Sequence, residues 1–335
     1  MLIMRQALDE TDRRIAAALV ASPRASWREV ARCLGLSERT VVRRVALLYA
    51  DGTLRATAVR NPARFAHLVP VVLRIRCRPN RIRQVAQALA RRDDTVWVDI
   101  LGGGDEISAV FFLEGPEARN SLLLRDLPAT DAVGSWTAHT LLRVFPTAFR
   151  WTAGLLSPAE LAALAEPATS APDPGPASPS PPPTQSSTQH HDVDTALIAA
   201  LTEDGRATYT DLARRAGTTA LTARRRLESL LAGQVLRLAT ELDLALLGAQ
   251  TEALLWIAVR PGALQETAQT LSGHPHVRFC AATTGPANLV VAVAAADLDA
   301  LYTFLTDAVG PLEAVTAIDV TPLLATVKRT GLLRH

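Results

Sequence analysis

The chain has 335 residues, 35 Lys and Arg against 33 Asp and Glu, a formal net charge of +2, and 48% hydrophobic but only 4% aromatic residues. That length predicts at least two domains with Leu, Val, Ile and Ala cores, and the near-neutral charge excludes a basic tail while local arginine clusters at 39–44 and 224–226 suit a polyanion met by small patches. No apolar run reaches the ~18 residues of a membrane span, no signal-peptide core opens the chain, and Cys33, Cys77 and Cys280 fit no metal or redox spacing, which predicts a cytoplasmic protein with packed thiols and neither metal nor cofactor.

From the N-terminus, 9–20 reads as a helix with Leu8, Ile15 and Leu19 on one stripe and Asp9 and Asp12 at its favourable end. Ser26 caps a second helix over 27–34 that turns Val30, Ala31 and Leu34 inward, and Gly35 supplies a left-handed turn. Ser37 caps a third helix with Val41, Val45 and Leu48 inward and Glu38, Arg39, Thr40, Arg43 and Arg44 outward. Asp51-Gly52 is a turn, and 53–57 alternates as a strand that begins a trailing hairpin. Three helices, a glycine turn before the third and a hairpin spell a winged helix-turn-helix. The third helix can offer arginine to guanine edges and its N-terminus to phosphate.

The next segments read strand 69–77, helix 80–91, strand 96–101, a turn at Gly102-Gly103-Gly104-Asp105, strand 107–113, helix 117–127 and strand 133–142. This βαββαβ order is ferredoxin-like and leaves one sheet face to be covered. Ser157-Pro158 can open a short helix, and 167–189 is rich in Pro, Ser, Ala and Thr with nothing apolar to bury, an extended linker in which His190-His191 is expected to face solvent.

The text then repeats. For most of a domain, adding 182 to a residue number returns a matching residue type without a gap. Pro23-Arg24-Ala25-Ser26-Trp27 falls on Gly205-Arg206-Ala207-Thr208-Tyr209, Arg43-Arg44 on Arg225-Arg226, Gly103 on Gly285, and Leu141-Leu142 on Leu323-Leu324. In the second copy Thr219 caps the third helix, Leu221, Leu227 and Leu230 are expected inward, and Thr222, Arg224, Arg225 and Arg226 lie at or near the outer face. The βαββαβ order returns at 254–259, 264–271, 277–283, 289–294, 298–309 and 314–324. Two sheets with uncovered faces in one chain can cover each other. The predicted class is α+β, a winged helix-turn-helix plus a βαββαβ domain, the pair repeated twice: 8–60, 66–150, a linker at 157–191, 192–242 and 250–330.

Asp9-Glu-Thr-Asp-Arg-Arg-Ile, Ala31-Arg-Cys-Leu-Gly-Leu-Ser and Thr40-Val-Val-Arg-Arg-Val, followed by βαββαβ with a Gly-rich second turn, resemble the Lrp/AsnC family of transcription regulators. The resemblance covers nearly everything but the linker. It implies double-stranded DNA as partner, bound through Ser37, Glu38, Arg39, Thr40, Arg43 and Arg44 and through Thr219, Thr222, Arg224, Arg225 and Arg226. It also implies dimerisation through the βαββαβ domains, here an intrachain pseudo-dimer, with room for higher homo-oligomers. An amino acid or other small effector would sit at a Thr-Gly-x-x-Asp turn. Here the turns read Gly102-Gly103-Gly104-Asp105-Glu106 and Thr284-Gly285-Pro286-Ala287-Asn288, both departing from that pattern, so Gly103, Asp105, Gly285 and Asn288 are the candidate effector residues. Because the two third helices differ, unlike half-sites are expected. Two rivals share the architecture: a sirohaem-decarboxylase-type enzyme, and a ligand sensor that no longer touches DNA. No His, Cys or acid–base constellation recurs in both halves, so a regulator and not an enzyme is expected.

Overall fold

Short oxygen-bearing side chains set the helix starts. In the computed structural model, which describes residues 8–147, 152–164 and 188–334, Ser26 Oγ accepts from Glu29 N at 3.2 Å while Glu29 Oε2 accepts from Ser26 N at 2.7 Å. This reciprocal box satisfies two orphan donors at once, and the bonds from Ser26 hold the Glu29 carboxyl below its usual range. Ser37 and Thr219 accept from Thr40 N and Thr222 N. Gly35 ends its helix at φ 66°, where its N–H returns to Ala31 O.

In chain order the first copy forms α1 (Glu10–Ala21), α2 (Trp27–Leu34), α3 (Glu38–Ala50), β1 (Arg55–Arg60), β2 (Leu68–Cys77), α4 (Ile82–Ala90), β3 (Thr95–Leu101), β4 (Glu106–Glu114), α5 (Gly115–Ser121) and β5 (Val133–Val144). The Ser157-Pro158 helix is α6 (Pro158–Leu164). The second copy forms α7 (Thr188–Glu203), α8 (Tyr209–Arg215), α9 (Ala220–Ala232), β6 (Leu236–Glu241), β7 (Thr251–Val259), α10 (Leu264–Ser272), β8 (Val277–Thr283), β9 (Leu289–Ala295), α11 (Leu298–Thr303), β10 (Val315–Arg329) and β11 (Leu332–Leu333). Helix α7 begins inside the expected linker, since no Pro or Gly stands between Thr188 and its body to stop it extending backward. The Pro-rich run at 165–187 and the side chains of His190 and His191 lie outside the described residues.

Contacts divide the chain by type of domain, not by copy. Among the described residues, one unit holds 14–61, 156–164 and 188–240, the two helical heads; the other holds 8–13, 62–147, 152–155 and 241–334, the two βαββαβ copies.

Within the head unit, Ile15, Leu19, Val30, Leu34, Val41, Val45 and Leu48 are buried in the first head, and Leu197, Leu201, Leu212, Ala223, Leu227 and Leu230 in the second. Leu221, expected inward, is 59% exposed; Ala223 takes the inward place, matching Val41. The trailing hairpin does not form. Asn61-Pro62 breaks the alternation, Pro62–Arg64 makes a single tight turn, and β1 pairs instead with β6 of the other copy. Gly205 N donates to Ala56 O at 3.0 Å, so close that a Cβ on Gly205 would lie 2.6 Å from Thr57 N. Arg24 donates to the carbonyls of Gly205 and Ala207, and Arg206 donates back to those of Pro23 and Ala25. Each guanidinium also faces the other copy's aromatic ring, Arg206 at 3.9 Å from Trp27 and Arg24 at 5.2 Å from Tyr209. The heads are thus one clamped pair. Helix α6 belongs to the first head, through Glu160 with Arg14 and with the Cys33 thiol.

In the other unit each sheet buries one face under its own helices. Leu73, Ile75, Val85, Leu89, Ile107 and Phe111 core the first copy, and Leu255, Ile257, Leu271, Val291 and Phe304 the second. The opposite faces meet around Val72, Leu141, Leu254, Trp256, Ala281 and Val290. Two separate sheets were expected, but hydrogen bonding is continuous. Strand β5 pairs with β2 up to Thr140, then with β8 from Leu141. Strand β10 pairs with β7 up to Pro322, then with β3 from Leu323. The two switches are 182 residues apart, and they close the strands into a ring. The sequence placed both strand ends at Leu142 and Leu324; of the added residues, Arg143, Val144, Ala325, Thr326 and Lys328 pair with the other copy. Cys77 and Cys280 are packed thiols, pushed up by burial to about 11 and about 12.

Candidate nucleic-acid interface and sensor turns

Helices α3 and α9 present one apolar side to their heads and keep the rest outward. Ser37, Glu38, Arg39 and Arg43 are exposed, Thr40 half-buried behind the Ser37 cap. Thr219, Arg224 and Arg225 are exposed, with Thr222 half-buried at the matching place. The last arginine of each helix behaves differently. Arg226 is half-buried and forks onto Asp194 of α7, a structural pair that binds two helices of its own head. Arg44, its counterpart, is half-buried, and Asp12 stands at the position matching Asp194. Arg224 also leans on Glu228 at 2.8 Å, an exposed i, i+4 pair of the kind DNA can displace at little cost. The exposed cationic surface therefore centres on Arg39, Arg43, Arg224 and Arg225. Arg24 and Arg206, which hold the two surfaces together, were visible in the sequence only as one step of the repeat.

The sensor turns separate into one open and one closed. In the second, the Asn288 side chain accepts from Val259 N and donates to Val259 O, both at 2.8 Å, which pins the turn to the end of β7. Gly285 sits at φ 103° with His139 against it; a Cβ there would meet Nδ1 at 2.5 Å. His139 Nδ1 lies 2.7 Å from Thr284 O and so carries the proton it donates. Thr284 and Thr140 exchange two further bonds, N to O at 3.0 Å and Oγ1 from N at 2.9 Å. Gly285 is therefore packed against the other copy, and Asn288 is occupied in pinning its turn within its own copy. In the first turn Gly102 N donates to Pro322 O at 2.7 Å, while Gly103 is exposed and Asp105 half-buried. Glu106, which stands in the place of the Asp of Thr-Gly-x-x-Asp, is bound in a fork by Arg74 at 2.7 and 2.9 Å. Asn288→Asp, which brings the turn closer to Thr-Gly-x-x-Asp, is expected to lose about 1–3 kcal/mol in chemical denaturation without any ligand, because a carboxylate cannot donate to Val259 O. Unchanged stability would return Asn288 to the candidate effector residues.

Among the described residues no group of His, Cys, Asp and Glu could hold a metal ion, and no helix is long and apolar enough to cross a membrane.

The AsnC-type helix-turn-helix domain matches at 8–48 and again at 192–231, and the Lrp/AsnC ligand binding domain at 252–333. An uncharacterised helix-turn-helix transcriptional regulator of Pyrococcus furiosus is 38% identical over 96 residues, 28% of this chain and 63% of that protein, so the chain spans under two thirds of this relative. The regulator FL11 of Pyrococcus abyssi is 29% identical over 133 residues, 39% of this chain and 83% of that one. Among solved structures, the sirohaem decarboxylase NirDL in complex with an iron-uroporphyrin III analogue aligns over 96% of this chain and 93% of its own, with a TM-score of 0.57 at 11% identity, a likeness of fold. Both heads match the AsnC-type model at the helices just described, and the second βαββαβ copy matches the ligand-binding model; the chain belongs to the Lrp/AsnC family, with its elements duplicated in one polypeptide.

Proposed function

We propose that the chain is a sequence-specific, DNA-binding transcription regulator that reads two unlike half-sites with one clamped pair of heads. The observation that carries this is the pairing itself: two capped helices with outward arginines, joined through the reciprocal Arg24 and Arg206 bonds and the β1–β6 ladder. Arginine and threonine at a helix start suit base edges and phosphates. The two surfaces differ. Glu38 can accept from cytosine N4 where Ala220 cannot, and Leu221 offers an apolar contact for a thymine methyl where the first helix has Arg39. A change at the βαββαβ pair that alters the heads' preferred placement would change site affinity through linkage.

Likeness to a decarboxylase concerns fold, and function has to be argued from the site. His274 and His276, just before β8, pack on each other and on Phe304, and Arg92 and Asp94 stand at the matching positions of the first copy. Selection of genomic fragments by the purified chain, with footprinting across a salt series, tests the proposal. A protected site with two different halves and steep salt dependence is expected. A perfect palindrome would remove the unlike-half-site reading, and tetrapyrrole binding without DNA protection would replace the regulator by the enzyme.

A further inference from the structure

Six charged side chains gather where β3 of the first copy meets β7, β8 and β10 of the second. Arg329 is 2% exposed and Arg278 5%. They share Glu252, whose Oε2 lies 2.7 Å from Arg329 Nη2 and 3.2 Å from Arg278 Nε. Glu241 lies 3.2 Å from Arg334 and 3.8 Å from Arg329 Nε. Asp99 accepts from Thr326 Oγ1 at 2.6 Å, and the Trp97 ring lies 4.8 Å from the Arg278 guanidinium and 6.0 Å from that of Arg329.

The fold does not require these charges. At the positions 182 residues away, Glu241 corresponds to Val59, Glu252 to Pro70, Arg278 to Val96, Asp99 to Ala281 and Arg329 to Thr147. The same frame is therefore built once with the charges and once without. Burying charge opposes folding, and apolar replacements of buried ion pairs are often neutral or stabilising. The cluster is also short of acceptors. Arg329 Nε and Nη1 and Trp97 Nε1 are buried and make no hydrogen bond, although buried donors ordinarily find a partner. Burial pushes the Asp99 carboxyl up to about 6, so it stays mostly ionised near neutrality and faces Arg329 and Arg278 as a carboxylate.

We propose that this cluster is a binding site for a small carboxylate, whose oxygens take the unbonded N–H groups of Arg329 and Trp97 beside the Arg278 guanidinium. Guanidinium groups recognise carboxylates through such charge-assisted bonds. A monoanion fits better than phosphate, because Glu241, Glu252 and Asp99 already supply negative charge to the cluster. The site is separate from both sensor turns and independent of DNA binding.

Thermal unfolding of the full chain, with acetate, benzoate, pyruvate and the natural amino acids each compared with chloride and inorganic phosphate at constant ionic strength, tests the site. At least one carboxylate is expected to raise the melting temperature saturably, on the order of 5 °C at a hundredfold excess over Kd. The double variant Asp99→Ala, Arg278→Val installs the residues of the matching positions and removes one charge of each sign. It is expected to fold, to melt no lower than the parent, and to lose the response. The proposal is overturned if no carboxylate stabilises the parent, if phosphate does so equally well, or if the double variant keeps the response. It is equally overturned if the double variant is unfolded or destabilised, since the charges would then be holding the fold.

Discussion

Replacing Arg39, Arg43, Arg224 and Arg225 together by alanine is expected to weaken binding to the selected operator by at least about 10³-fold, and to reduce the slope of log affinity against log salt by roughly 3–4. Each arginine that meets a phosphate contributes about one released counterion, and each that meets a base edge contributes about 1–3 kcal/mol. All four are exposed and outside the head cores, so the variant should keep its melting temperature. Titration by fluorescence anisotropy across salt concentrations reads both effects. Binding that survives with an unchanged slope would show that the heads do not meet DNA through these helices. Arg226 is left out of the set deliberately: its fork onto Asp194 means that its loss would appear first as instability of the second head.

Gly205→Ala is expected to cost about 3 kcal/mol, more than most overpacking substitutions. The added Cβ would fall 2.6 Å from Thr57 N and 2.8 Å from Thr57 O, both backbone atoms held by β1, with no flexible side chain to move aside. The affected bonds are those that join the heads, so the footprint should shrink toward a single half-site as the pair loosens. Gly262→Ala is the control, since nothing lies within 4 Å of the position its Cβ would take. Denaturant unfolding of both variants decides it; equal stability would mean that the head pair yields easily and is not a fixed ruler.

Much of the candidate interface was readable from short spans. Ser26, Ser37 and Thr219 were identified as caps, and all three bond to the expected turn. Val41, Val45 and Leu48 were placed inward, and their helix keeps Arg39 and Arg43 outside. Leu221 was misplaced because a helical stripe fixes a direction only to within a residue or so, and Ala223, too small to dominate the pattern, fills the inward position. The two turns named as candidate effector sites do lie between β3 and β4 and between β8 and β9, but what their residues bond to was not readable. Asn288 looks like a ligand group in sequence and is a backbone clamp in space, because its partner Val259 lies on a different strand.

By itself the sequence determined the helices, the strands and the 182-residue register between copies, since caps, turn glycines and apolar periodicity act between neighbours a few residues apart. Tertiary structure alone decided partners. An alternating strand is equally ready to pair with its own copy or with the other; in the fold β1 pairs with β6, and the ends of β5 and β10 change partner at Leu141 and Leu323, where the apolar faces meet. That choice also made Arg24 and Arg206 a clamp and enclosed Arg278 and Arg329. An arginine in a strand or turn has no local signal that separates a solvated charge from a buried one; its burial is set by which distant segments close over it.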